Sequence, residues 1–244
     1  MARKHHSQKL RLIKDEENQK QEQQSNAYSK KSKVHIVPRN MSQENYVLQL
    51  ANEQKRIVVA VGPAGTGKTL LAVLQAIKEF KEGNIKKIIL TRPTVAVANE
   101  QLGFLPGTLE QKMEPWTKPI FDIFEEYYNP KQIEDMIKNH IIEICPLAMM
   151  RGRSFKNTLI ISDETQNTTP EQLMMLLTRI GEGSRVFVTG DVRQTDIKTT
   201  NGLQDFMDRL YCTNSKTISL CTFTNKDIER DPIVAEVLKL YGEV

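Results

Sequence analysis

The chain has 244 residues, 39% hydrophobic and 26% charged, enough for one domain with a sizeable core and a short appendage, and cramped for two full domains. Its formal charge of +4 suggests a polyanion binder until it is placed along the chain: residues 1–40 carry ten Lys/Arg against four Asp/Glu, and the other 204 carry 24 against 26. No stretch is apolar for long enough to span a membrane, and Cys145, Cys212 and Cys221 are odd in number and lack metal-ligand spacing, which fits a reducing, cytoplasmic setting.

Residues 1–37 form a Gln/Lys/Asn-rich tail that cannot bury enough apolar surface to offset its ordering entropy. It has no apolar h-region and is not a signal peptide. The tail reads either as a basic arm for RNA or DNA or as a solvated leader. Residues 38–244 read as one folded domain, because from Met41 onward short β-branched runs alternate with helical stretches.

The predicted strands are Ile57–Val61, Lys87–Thr91, Ile141–Ile144, Thr158–Ser162, Arg185–Thr189 and Thr217–Cys221. They are mostly continuous apolar runs without alternation, the pattern of strands buried on both faces. With helices between them they predict an α/β fold, a mostly parallel sheet with helices on both faces. A helical segment over Thr108–Tyr128 is expected to break into pieces at Pro115 and Pro119. A further helix should run from Pro170 to about Ile180, opened by the Thr169-Pro170-Glu171-Gln172 cap and stopped by Gly181.

Between the first strand and the helix that follows it stands Gly62-Pro63-Ala64-Gly65-Thr66-Gly67-Lys68-Thr69. Glycines in that setting let several backbone N–H groups point at one anion, the helix N-terminus adds partial positive charge, Lys68 reaches the outer phosphates, and the Thr69 hydroxyl suits Mg2+. The fourth strand ends in Asp163-Glu164, at the edge of a parallel sheet where ligands gather. Asp163 there would hold Mg2+ and Glu164 would polarise an attacking water. The fifth strand ends in Gly190-Asp191-Val192-Arg193-Gln194, and the Gln194 amide could donate to a γ-phosphate oxygen while accepting from the water. These residues imply ATP and Mg2+ and a hydrolytic site.

The order Pro63-Ala64-Gly65-Thr66-Gly67-Lys68-Thr69, Thr91-Arg92-Pro93-Thr94-Val95, Gly103-Phe104-Leu105-Pro106-Gly107-Thr108, Arg151-Gly152-Arg153-Ser154, Asp163-Glu164-Thr165-Gln166-Asn167, Leu177-Thr178-Arg179 and Thr189-Gly190-Asp191 resembles the PhoH family over about 200 residues. Thr165 stands where that family usually has Ala. The resemblance implies a single RecA-like P-loop NTPase domain similar to the first such domain of superfamily 1 helicases, and a cytoplasmic ATPase linked in some members to RNA. It also implies that Gln43 and Tyr46 lie in the segment that reads adenine, the alternative being that Ser42-Gln43 caps the first helix. Arg92 and Thr94 fall in the segment that touches a nucleic-acid backbone, although an Arg at a strand end often pairs with an acid.

One RecA-like domain supplies one wall of such a site, so rapid hydrolysis calls for an arginine from a neighbouring copy. A closed ring, expected as a homohexamer, meets that need, with Arg179, Arg230, Arg151 and Arg153 as finger candidates. Two readings stay open. One is a motor or remodeller on RNA or single-stranded DNA. The other is a nucleotide-driven switch or small-molecule phosphotransferase that touches no nucleic acid, against whose kinase version Glu164 stands as a base for water. The stretch Gly103–Tyr128, with Trp116, reads as an oligomer contact, a nucleic-acid loop or core packing.

Overall fold

The structure, a computed structural model, describes residues 33–93, 109–197, 200–229 and 232–240. Most of the basic tail, Thr94, the run Gly103–Thr108 and Arg230 lie outside the described residues. In chain order the elements are α1 (Met41–Ala51), β1 (Ile57–Val61), α2 (Lys68–Lys81), β2 (Lys87–Thr91), α3 (Leu109–Glu125), α4 (Pro130–Lys138), β3 (Ile142–Ile144), β4 (Thr158–Ser162), α5 (Pro170–Leu177), β5 (Arg185–Gly190), α6 (Gly202–Tyr211), β6 (Ile218–Thr222) and α7 (Pro232–Leu240).

The six strands form one sheet in the order β3-β2-β4-β5-β1-β6, and each neighbouring pair is parallel. Alternate residues of each central strand enter opposite cores. Val58, Ala60, Ile88, Leu90, Leu159, Ile161 and Phe187 pack with α1, α2, α3 and α4 on one face. Val59, Val61, Ile89, Ile160, Val186 and Val188 pack with α5 and α6 on the other. That two-sided burial is why the strands read as unbroken apolar runs, and each buried Val, Leu, Ile or Phe among them contributes on the order of 2 kcal/mol by leaving water. Val34 and Ile36, which the sequence assigns to the tail, also pack against the first core.

Strands β3, β5 and β6 differ from their predicted limits by one residue at one or both ends, and three helices depart further from expectation. Helix α3 runs unbroken through Pro115 and Pro119. Each proline removes a backbone hydrogen bond, but Met113, Thr117, Ile120 and Phe124 recur at helical spacing and are all buried, and that continuous buried face holds the helix together. Helix α5 ends at Leu177 because Ile180 forms a bridge with Phe155 and the Gly181 N–H donates to the Phe155 carbonyl at 2.7 Å. A Cβ on Gly181 would lie 2.3 Å from that oxygen. Helix α4 was not expected at all, although its Asn129-Pro130-Lys131-Gln132 start is a capping box of the same design as the one opening α5.

Far along the sequence from the glycine-rich loop, Arg185 at the start of β5 pairs with Glu79 of α2, each side chain 7% exposed. Arg185 also donates to the carbonyls of Leu50, Asn52 and Lys55 and lies over the Phe187 ring. Burial pushes the Glu79 carboxyl up, against the pull of the Arg185 charge. Removing one partner strands a buried charge. Glu79→Ala should therefore lower the unfolding free energy by about 3 kcal/mol in urea titration.

Candidate nucleotide site

Because every strand runs the same way, every strand end that carries chemistry reaches the same edge of the sheet. β1 leads into Gly62, β2 into Arg92, β4 into Asp163 and β5 into Asp191, with Val61 opposite both Gly190 and Thr222. At that edge Ala64, Gly65, Gly67, Lys68, Thr69, Leu70, Asp163, Glu164, Gly190, Asp191 and Gln194 line an open cleft of about 320 Å³.

The glycine-rich loop has a backbone that side chains would obstruct. Gly62 has φ +146°, and a Cβ there would lie 2.4 Å from the Phe223 carbonyl oxygen. Gly65 and Gly67 are left-handed, and Gly67 is the residue from which α2 springs. Pro63 turns the chain, and its carbonyl accepts from the Thr66 hydroxyl at 3.0 Å. The amides of Gly65, Thr66 and Gly67 donate to no protein acceptor among the described residues, so this helix start presents unmet donors, the local condition for anion binding.

Lys68 is 8% exposed and folds back over the loop, its ammonium donating to the carbonyls of Gly62 and Pro63, both at 2.7 Å. Burial lowers its pKa, while Asp191, Asp163 and Glu164 oppose that shift. Asp163 and Thr69 meet directly: the Thr69 hydroxyl donates to Asp163 Oδ1 at 2.8 Å, and Thr189 of β5 donates to the same oxygen at 2.6 Å. Two hard oxygen donors side by side suit Mg2+, which is usually bound through one or two protein groups plus water and phosphate.

Glu164 has φ +52°, a left-handed backbone that a non-glycine residue adopts at some cost. Its two carboxylate oxygens are held from different sides. Gln166 Nε2 donates to Oε2, and the Arg92 guanidinium lies 3.7 Å from Oε1.

Gln166, which the sequence offers only as a motif letter, is the hub of this side of the cleft. It is 1% exposed, accepts from the Asp191 N–H at 3.0 Å and also donates to the Gln194 carbonyl at 3.3 Å. The loop after β5 is further pinned by Asn167 to Asp196 and by Thr195 to the Gln166 carbonyl. Gln194 itself is exposed on the cleft wall. The signal for Gln166 was the Asp-Glu-x-Gln spacing, which a 3₁₀ turn over Thr165–Asn167 converts into a side chain pointing back at Glu164.

Other expected site residues are arranged differently. Asn40, not Ser42-Gln43, caps α1. Gln43 is 4% exposed and does not line the cleft. Its amide accepts from the Arg39 N–H at 2.9 Å and donates to the Thr66 carbonyl at 3.1 Å, bracing the loop from behind. Tyr46 is wholly buried, edge-on to Phe223. Arg153 is committed to Glu143, whose carboxyl it and Lys87 lower to about 2, and it covers the Phe155 ring. Arg179 donates to the carbonyls of Met175 and Arg153. Arg151 is exposed. Trp116 is only partly buried.

Replacing Gln166 with Leu would leave the buried Asp191 N–H unsatisfied. The expected result is a stability loss of about 1–3 kcal/mol with faster hydrogen exchange at Asp191, and unchanged exchange there would contradict the hub role.

A sequence model of the family described as PhoH-like protein matches residues 35–242. The chain is 42% identical over 210 residues to a PhoH-like protein of Bacillus subtilis, covering 85% of this chain and 64% of that one. It is 34% identical over 211 residues to the protein PhoH of Escherichia coli K12, covering 85% and 58%. The chain thus spans less than two thirds of the length of these relatives. Among solved structures, a Pif1 helicase from Candida albicans matches over 84% of this chain and 44% of that chain, at 18% identity and a TM-score of 0.42. A family match that runs through residues 35–242, with relatives at this level of identity over 85% of the chain, makes this protein a member of the PhoH-like family.

Proposed function

We propose that the chain binds ATP in the cleft and hydrolyses it, and that it does so in a cytoplasmic ring, expected as a homohexamer, engaged with RNA or single-stranded DNA. The observation that carries the hydrolytic reading is the convergence of Lys68, Thr69, Asp163, Glu164 and Gln194 on one cleft from three separate strand ends.

In this reading the β- and γ-phosphates lie against the amides of Gly65, Thr66 and Gly67. Lys68 exchanges its two backbone carbonyls for phosphate oxygens, an exchange favoured because an ammonium bonds better to an anion than to a neutral acceptor. Thr69 and Asp163 would hold Mg2+, which when bound neutralises charge on the phosphates. Glu164 takes a proton from water as the water oxygen bonds to the γ-phosphorus and the bond to the ADP oxygen breaks, giving ADP and phosphate. Gln194 hydrogen-bonds the terminal phosphate and that water. Gln43 supports the loop through Thr66, and through it the nucleotide.

The assembly proposal rests on the openness of the cleft, which needs a second wall and a cation from outside it. Of the finger candidates, Arg153 and Arg179 are tied into their own subunit, whereas Arg151 is exposed, which makes Arg151 the first candidate to reach a neighbour. The nucleic-acid proposal rests on Arg92 at the cleft edge and on the basic tail.

Lys68→Ala should abolish nucleotide binding in calorimetry with a slowly hydrolysed ATP analogue. Glu164→Gln should bind ATP as wild type does yet turn over about 10²–10⁴-fold more slowly; normal turnover in that variant would remove Glu164 from its role. Light scattering behind size exclusion should give a homo-oligomer with ATP, and a monomer with and without nucleotide would refute the ring. Hydrolysis stimulated by RNA or single-stranded DNA in a salt-sensitive way supports the motor, whereas no stimulation by either polymer supports the switch.

A further inference from the structure

Arg92 and Glu164 are proposed above for different tasks, one on a nucleic-acid phosphate and the other on the attacking water, yet they face each other. Arg92 Nη2 lies 3.7 Å from Glu164 Oε1, and each side chain is about one third exposed, at 33% and 35%. The other carboxylate oxygen is held by Gln166, which is buried and itself bonded to the loop after β5. The base therefore has one fixed anchor inside the protein and one exchangeable anchor at the surface.

We propose that Arg92 is a brake on hydrolysis that nucleic-acid phosphate releases, a regulation that rests on the ATPase reading above. With no polyanion bound, the guanidinium draws Glu164 Oε1 outward, away from where the attacking water would stand, so the base is held out of position. A phosphodiester offers the same guanidinium a bidentate partner. An ion pair this long and this exposed contributes little, so the exchange costs little. Once Arg92 has turned to the phosphate, Glu164 keeps only the Gln166 bond, and its freed oxygen faces the cleft that Glu164 lines. The backbone of Glu164 need not move, because its left-handed conformation already sets the direction of the side chain.

The consequence has an unusual sign: losing the arginine speeds the unstimulated enzyme. Steady-state ATP hydrolysis is measured for the full chain, Arg92→Ala and Arg92→Lys, each alone and with poly(U) or a dT30 oligonucleotide. Arg92→Ala should hydrolyse ATP on the order of fivefold faster than wild type without polymer, a small part of what a positioned base supplies. Its KM for ATP should be unchanged and its stimulation by either polymer lost. Arg92→Lys, which keeps the charge but not the fork, should fall between wild type and Arg92→Ala in both basal rate and stimulation. A basal rate for Arg92→Ala equal to or below that of an active wild type overturns the brake and leaves the ATPase reading intact. ATP binding without hydrolysis in both wild type and Arg92→Ala overturns the two together.

Discussion

Asp163 Oδ1 accepts two hydroxyl hydrogens at once, from Thr69 at the start of α2 and from Thr189 near the end of β5. The knot ties the end of β4 to the helix that follows the glycine-rich loop and to the strand lying between β4 and β1. It can exist only because the sheet is parallel, which brings the three strand ends to one edge, and because both faces are filled, which fixes their register. The two apolar cores act on the site through this geometry: Val58 and Phe187 on one face and Val59, Val186 and Val188 on the other hold β1 against β5, and the loop and the acids follow.

Around that knot the site stores contacts a ligand can replace. Lys68 satisfies its ammonium with the loop's own carbonyls, and the amides of Gly65, Thr66 and Gly67 have no protein acceptor among the described residues. Glu164 stands on a left-handed backbone with Gln166 on one oxygen and Arg92 near the other. Gln166 carries the same amide to the Asp191 N–H and the Gln194 carbonyl, so a change in the loop after β5 is felt at the acid within one side chain. The residues proposed to sense phosphate and to activate water, Gln194 and Glu164, thereby share one buried amide.

Much of this was legible in sequence where the determinant is local. β1, β2 and β4 span the residues predicted for them, since two-sided burial leaves an apolar run that marks the strand. The loop and the Asp163-Glu164 pair carry their own spacing. What escaped depends on partners distant in sequence or on competition between local preferences. Two prolines argued for a broken α3, and a buried face prevailed. Gly181 looks like a helix stop in the sequence, whereas in the fold it lets Phe155 approach. Arg153 and Arg179 stand in the sequence as finger candidates, because Glu143 and the Arg153 carbonyl that engage them are brought up by the fold. Gln43 read as a possible base reader, and only the fold shows both ends of its amide engaged by backbone.

In the proposed reading a Mg2+-dependent hydrolytic site is half built in one chain and completed by another. The decisive experiment follows phosphate release from ATP over a hundredfold range of protein concentration, with and without EDTA. The rate per chain should rise with concentration to a plateau as subunits assemble, and EDTA should abolish it. Hydrolysis absent at every concentration, or present and indifferent to EDTA, would contradict the site, and a per-chain rate flat across the range would contradict its completion by a neighbour.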